Sequence, residues 1–259
     1  MSKFDGAGVQ RLERMYGSPA IAEQRSRTRA ALAIRPGERG LDIGCGPGFL
    51  LCEMAEQADT RLQGIDASAD MVAAARRRID GKNLSGKIDV AVGDAAHLDL
   101  PSSSFDFAVA VQVYLYVKEI ERALSEAARV LKPGGRLVVV DTDWDSCVWL
   151  TSDRERHRRM IDAWARQFAQ PHLPPVLPRL LAAAGLEVES VESFPVLNPR
   201  YDADSFSAGI IESLPAAVSR LGIDPTEAEA WAADLRGRTG AGDYFFSVNR
   251  YLFRARRPA

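Results

Sequence analysis

The chain has 259 residues, 46% of them apolar and 26% charged, with a formal net charge of −2. That is enough apolar chain for one packed domain with a sizeable insertion, and it provides no general attraction to nucleic acid or to an anionic membrane. No run approaches the roughly 20 apolar residues of a membrane span, and Met1 to Gly6 lack the apolar core of a signal peptide. Cys45, Cys52, Cys147, His97, His157 and His172 are scattered and form neither a disulfide framework nor a zinc site, so a cytoplasmic protein without a metal is expected.

Residues 8–34 read as one or two helices ahead of a sheet. Gly40 to Cys45 is the first candidate strand, and Gly48 to Gln57 the first crossover helix, with Leu50, Leu51, Met54 and Ala55 at helical spacing. Leu62 to Ala67 is a second strand. Ser68 is a suitable N-cap for the next helix, with Asp70 in its first turn and Gly81 at its end. Ile88 to Val92 and Phe107 to Val113 are the third and fourth strands. Ile120 to Leu131 is a helix stopped by Lys132-Pro133-Gly134-Gly135, and Leu137 to Asp141 is the fifth strand. Strands alternating with helical crossovers predict a parallel sheet covered on both faces, a doubly wound α/β fold.

Beyond the fifth strand, Asp153 to Gln170 carries Met160, Ile161, Trp164 and Phe168 on one stripe. A short helix over Leu177 to Ala184 and a sixth strand over Leu186 to Val196 follow. Residues 203–238 are again helical in pattern, and Tyr244 to Arg254 reads as a last strand. With no repeat or low-complexity linker, 203–238 is an insertion between the last two strands.

The chemistry concentrates at Leu41-Asp42-Ile43-Gly44-Cys45-Gly46-Pro47-Gly48, where the first strand meets the first helix. A turn this rich in glycine brings bare backbone close to a ligand, at the strand end where such sheets bind them. The spacing is GxGxG. A dinucleotide fold needs GxGxxG, and its third glycine would fall on Phe49. No GK[ST] follows, which excludes a phosphate-binding P-loop. Asp66, ending the second strand, can take both hydroxyls of a ribose and would repel a 2′-phosphate. Asp94, ending the third, can accept from an exocyclic amine such as that of adenine.

Asp42 to Gly48, Gly64-Ile65-Asp66, Gly93-Asp94-Ala95, Phe105-Asp106 and Leu131-Lys132-Pro133-Gly134-Gly135 together resemble the ordered motifs of class I S-adenosylmethionine-dependent methyltransferases. The likeness covers about residues 36–145 and is strongest to the ubiquinone/menaquinone-type and related small-molecule branch. It implies a Rossmann-like, doubly wound, mostly parallel seven-stranded sheet with an antiparallel last strand, N-terminal helices and a helical insertion. One domain would comprise a lid over 1–34, a cofactor-binding core over 35–145 and a substrate side over 146–259. The cofactor implied is S-adenosyl-L-methionine, leaving S-adenosyl-L-homocysteine.

Carried across by residue, the resemblance has Gly44, Cys45 and Gly46 approaching the methionine part through backbone. Asp42 would orient the loop, Asp66 would hold the ribose, and Ala67 and Met71 would flank the adenine. Asp94 and Ala95 would meet the adenine amine, and the backbone of Val111 and Gln112 would face the methionine ammonium. Cys45 is read as a packing residue, not a nucleophile. Tyr16 and Arg25 on the lid are further cofactor candidates, Arg25 toward the carboxylate. Where many relatives carry histidine, this chain has Leu115 and Tyr116.

Methyl transfer from a sulfonium is an in-line displacement that depends on alignment. The acceptor is expected over the ends of strands four and five, near Tyr16, Tyr114, Tyr116, Asp141, Asp143, Trp144 and Trp149. Of these, Tyr116, Asp141 and Asp143 are the catalytic candidates, the acids as general base or charge stabiliser. Apolar surroundings beside two acids predict a neutral or weakly charged, largely apolar small molecule, methylated by a monomer or homodimer. A cofactor-binding protein without methyl transfer, such as a cyclase or regulatory partner, would carry the same cofactor motifs.

Overall fold

The computed structural model describes residues 15–239 and 242–259; the first 14 residues of the expected lid lie outside them. Helix α1 (Pro19–Leu32) precedes β1 (Arg39–Ile43), and α2 (Phe49–Gln57), β2 (Arg61–Asp66), α3 (Ala69–Gly81) and β3 (Ile88–Val92) follow. β4 (Phe105–Val111) leads through a 3-10 turn at Tyr114–Tyr116 into α4 (Ile120–Val130) and β5 (Leu131–Trp149). The remaining elements are α5 (Arg154–Ala165), α6 (Leu173–Ala183), β6 (Glu187–Asn198), α7 (Phe206–Ser219), α8 (Pro225–Arg236) and β7 (Phe246–Arg256). The strands share one sheet in the order β3-β2-β1-β4-β5-β7-β6. Neighbours are parallel from β3 to β5, and β7 is antiparallel to both β5 and β6. This is the expected Rossmann-like sheet with its antiparallel last strand. Winding reverses between β1 and β4, which opens a crevice at their carboxyl ends.

Burial explains the layers. Leu41, Ile43, Ala108, Leu137 and Val139 pack with α4 and α6 on one face of the sheet. Leu32, Leu51, Met54, Phe107, Val138 and Val140 pack with α1 and α2 on the other. A third cluster, with Trp149, Met160, Ile210, Leu214, Trp231 and Phe246, lies where α5, α7 and α8 meet the ends of β5 and β7. Local chemistry sets the helix starts: Ser68 Oγ accepts from Met71 N at 3.4 Å, Ser205 Oγ from Ala208 N at 3.2 Å, and Asp224 Oδ1 from Thr226 N at 2.7 Å. The Arg136 guanidinium forks onto Glu38 at 2.9 and 2.6 Å and donates to the Leu32 carbonyl at 2.9 Å. It thereby ties the end of α1 and the approach to β1 onto β5.

Several boundaries differ from the sequence expectation. β5 is 19 residues long, not the five of Leu137 to Asp141. Asp141 and Asp143 therefore stand inside a strand, opposite Tyr251 and Asn249, instead of in a loop past its end. The partner that prolongs β5 is β7, about 100 residues away in sequence, so no local pattern announces it. β4 begins at Phe105 and stops at Val111 because Gln112 turns to φ +58°. The helix expected to reach Gln170 stops at Ala165, and α6 starts at Leu173 with Pro174 in its first turn, where a missing N–H costs nothing.

Candidate cofactor and acceptor site

At the end of β1 the loop glycines Gly44, Gly46 and Gly48 take φ of +69°, +51° and +78°, a region that L side chains resist. A Cβ on Gly44 would lie 2.4 Å from Val113 Cγ2, and one on Gly48 would lie 3.1 Å from the Cβ of Ala75. Over Gly46 the space is open except for the Tyr16 hydroxyl, 3.7 Å from where a Cβ would stand. Cys45 is buried, and burial pushes its thiol well up, as suits a packing residue.

Asp66 staples the loop to the next helix. Its Oδ2 accepts from Gly46 N and its Oδ1 from Ser68 N, both at 2.9 Å. An ionised carboxylate has about four acceptor sites, so two remain for a diol. Burial pushes its pKa up against the pull of the two N–H groups. Beneath the loop Asp42 is 2% exposed, and burial first, Asp66 second, hold its carboxyl well above the usual range. Beside Asp66, Ala67 is exposed and Met71 buried. Asp94 is exposed in a tight turn, its Oδ1 accepting from Ala96 N at 2.9 Å and its Oδ2 lying 3.4 Å from His97 Nδ1, with Ala95 half-buried between. Gln112 is locked: its N donates to the Val140 carbonyl at 2.7 Å and its Oε1 accepts from Thr142 Oγ1 at 2.5 Å. This fixes the backbone of Val111 and Gln112 at the mouth of the crevice. Open space over bare backbone, spare acceptor sites on Asp66 and a shelf at Ala67 and Met71 fit S-adenosylmethionine.

The segment expected to form a lid meets this loop through Phe49, the position that a dinucleotide fold would fill with its third glycine. Tyr16 stacks on it at 5.6 Å, and the guanidinium groups of Arg25 and Arg78 lie over its ring at 5.1 and 3.6 Å. Arg25 is engaged within the protein, donating to Glu53 Oε1 at 2.8 Å and to the Tyr16 carbonyl at 2.6 Å. Those bonds occupy the guanidinium expected to reach the cofactor carboxylate directly. Arg27 pairs with Glu23 on the surface.

On the side where the acceptor is expected, Tyr116 is 42% exposed and packs edge-on against Phe168 at 5.2 Å. Phe168 stacks on Trp144 at 5.7 Å, and Trp164 closes the wall edge-on to both. Two other aromatic candidates are core residues. Tyr114 is wholly buried under the sheet, and Trp149 donates Nε1 to the Tyr244 hydroxyl at 3.1 Å beneath the insertion. Among the described residues neither oxygen of Asp141 has a hydrogen-bond partner at bonding distance, although the N–H groups of Tyr114 and Leu115 face it, and burial holds its pKa well up. Asp143 accepts from Asp145 N at 3.2 Å within the bulge of β5.

The structure adds Arg250, which was absent from the sequence reading. It is 2% exposed on β7, and its guanidinium lies 4.8 Å over the Phe206 ring. Burial pulls its pKa down to about 10, and the acidic groups that bear on it are Tyr16, Asp141 and Tyr116. The signal was present: Phe246, Val248, Arg250 and Leu252 occupy the buried alternate positions of one strand, so a cation interrupts an apolar row. Among the described residues no group of three or more His, Cys, Asp or Glu could hold a metal ion, and no helix is long and apolar enough to cross a membrane.

A family model described as a methyltransferase domain matches residues 41–139. A 37.1 kDa transposon-encoded protein of Streptomyces fradiae is 34% identical over 252 residues, 94% of this chain and 70% of that one. The 27-O-demethylrifamycin SV methyltransferase of Amycolatopsis mediterranei is 33% identical over 171 residues, 64% of this chain and 60% of that enzyme. Among solved structures, a Bacillus halodurans protein described as a methyltransferase superposes with a TM-score of 0.67 at 20% identity, covering 92% of this chain and all of that one. These likenesses support the class without favouring its quinone-type branch. Taken with the glycine loop, the Asp66 staple and the sheet order, they show that the chain belongs to the class I S-adenosylmethionine-dependent methyltransferases.

Proposed function

We propose that the chain moves the methyl group of S-adenosylmethionine to a small molecule with an aromatic or apolar body. The observation that carries this reading is the Asp66 staple, which presents a half-buried carboxylate beside open glycine backbone. When bound, S-adenosylmethionine supplies an electrophilic methyl on a sulfonium. Gly44, Cys45, Gly46, Val111 and Gln112 would hold its methionine end, Asp42 the loop, and Asp66, Ala67, Met71, Asp94 and Ala95 its nucleoside. Tyr16, steered by Arg25, would cover it. Tyr116 with Phe168 and Trp144 would form the wall that orients the acceptor, whose alignment matters more than a strong base. Asp141, sealed in the sheet, serves as a positioning residue for the Tyr114–Tyr116 turn, and Asp143 holds the bulge. The rifamycin-directed relative suggests secondary metabolism, and we place the enzyme in the cytoplasm as a monomer or homodimer.

Calorimetry with S-adenosylmethionine, S-adenosylhomocysteine and NAD tests the cofactor. Binding of the two sulfur compounds and not of NAD is expected, and the reverse would refute the reading. Methyl-labelled cofactor offered with phenols, quinols, isoprenoids and amines should then label one of these classes. Tight cofactor binding with no labelled product across the panel would favour a non-methylating protein on this scaffold.

A further inference from the structure

Arg250 is a buried cation on β7 without a hydrogen-bonded or ion-paired partner for its guanidinium among the described residues. Its Nε is sealed from solvent with no hydrogen bond, and no carboxylate among the described residues pairs with its guanidinium. A buried charge in this state is costly unless something compensates it. The ring of Phe206 in the insertion lies 4.8 Å from its guanidinium, and Tyr16, Asp141 and Tyr116 are the acidic groups whose charge bears on it, the Asp141 carboxyl being held well above its ordinary value by burial.

We propose that Arg250 anchors an oxyanion of the methyl acceptor, a phenolate, enolate or carboxylate oxygen carried on the aromatic or apolar body. The proposal rests on the methyl-transfer reading and deepens it. The sheet order supports assignment to the acceptor, not to the cofactor carboxylate. β7 stands three strands from β1, about 14 Å at the usual spacing of about 4.8 Å, and Arg250 stands opposite Thr142 of the Gln112–Thr142 lock, on the side away from β1. The ring of Phe206 takes one face of the guanidinium, so its edge remains the surface for an acceptor oxygen, the geometry in which arginine recognises carboxylate and related anions. The expectation of a neutral or weakly charged, largely apolar acceptor is narrowed to one that carries an anionic oxygen. That expectation drew on Asp141 and Asp143, of which the first is sealed in the sheet and the second is bonded within the bulge.

The test uses the full chain saturated with S-adenosylhomocysteine and two matched probe pairs: 2,4-dinitrophenolate against 1,3-dinitrobenzene, and benzoate against toluene. In the wild type the anionic member of at least one pair should bind at least about tenfold tighter, the range of a hydrogen bond to a charged group. In Arg250→Met that preference should vanish, and in Arg250→Lys part of it should return. Affinity for S-adenosylhomocysteine should change less than about threefold in both variants. Without any ligand, Arg250→Met should unfold at the same or a higher temperature than the wild type, because an unpaired buried charge has been replaced by an apolar chain of similar length. No anion preference in either pair overturns the proposal, as does loss of cofactor affinity in Arg250→Met or a large fall in its unfolding temperature. Failure of the wild type to bind S-adenosylhomocysteine at all would instead overturn the methyltransferase reading.

Discussion

Two backbone N–H groups and, on our reading, two ribose hydroxyls depend on one side chain, Asp66. Replacing it with alanine removes the hydrogen bonds at 2.9 Å to Gly46 and Ser68 as well as the acceptor sites left over for the ligand. A hydrogen bond to a charged group is worth roughly 1.5–3 kcal/mol, so Asp66→Ala should weaken cofactor binding tenfold or more. Calorimetry on the folded variant checks this, and an unchanged dissociation constant would mean that the ribose lies elsewhere. The same substitution should lower the unfolding temperature without ligand, because the loop and the start of α3 lose their common tie. Asp94 differs in kind: it is exposed, its bonds are local to one turn, and its loss should be felt in binding far more than in folding.

We propose that helix α1 acts on the site through a lever. Its Arg25 reaches back to the Tyr16 carbonyl and across to Glu53 on α2, with the stacked pair of Tyr16 and Phe49 between them. Further along, Met15 fills the space where a Cβ on Gly209 of α7 would stand, 2.5 Å from its Sδ, so the lid also leans on the insertion. Product must leave after each turnover, and such a cover has to open. Arg25→Met keeps the stem and drops the charge. It should raise the dissociation constant for S-adenosylhomocysteine about tenfold, from the loss of two charge-assisted bonds. Hydrogen exchange should show less ligand-induced protection across Pro19–Leu32 in this variant than in the wild type. Equal protection in both would show that α1 is fixed framework.

For the molecule as a whole, buried carboxylates set the direction of the pH response. Asp42 and Asp141 are held well above the ordinary carboxylate value by burial. The folded state therefore binds protons that the unfolded chain has already released, and unfolding free energy falls as pH rises from about 4 through the raised values. Glu38, Asp106, Glu126 and Asp234 are held low by arginine, lysine or backbone partners, and their contribution is lost in the opposite direction, as pH falls through their lowered values. Asp141→Asn removes one titrating group of the first kind. Its unfolding temperature relative to the wild type should therefore be higher at pH 8 than at pH 5, as differential scanning calorimetry would show. A difference that does not change with pH would mean that Asp141 is ionised or neutral at both.

How much was legible from sequence differs by region, and the physics says why. The glycine loop, Asp66, Asp94 and the strand–helix alternation over residues 36–145 are local: each is written within a few residues, in glycine spacing, an N-cap serine or an apolar run. Those residues determined the fold class and the cofactor half of the site. The proposed acceptor half draws on Tyr16, Tyr116, Phe168, Phe206 and Arg250, which span most of the chain. Sequence could name aromatic candidates there, but only packing sent Tyr114 and Trp149 into the core and left Tyr116 at the surface. Pairing with β7 drew Asp141 and Asp143 into a strand, and the same strand carried an arginine inward. Short-range patterns report local backbone preference, whereas which side chains share a cavity is decided by strand order and register between distant segments.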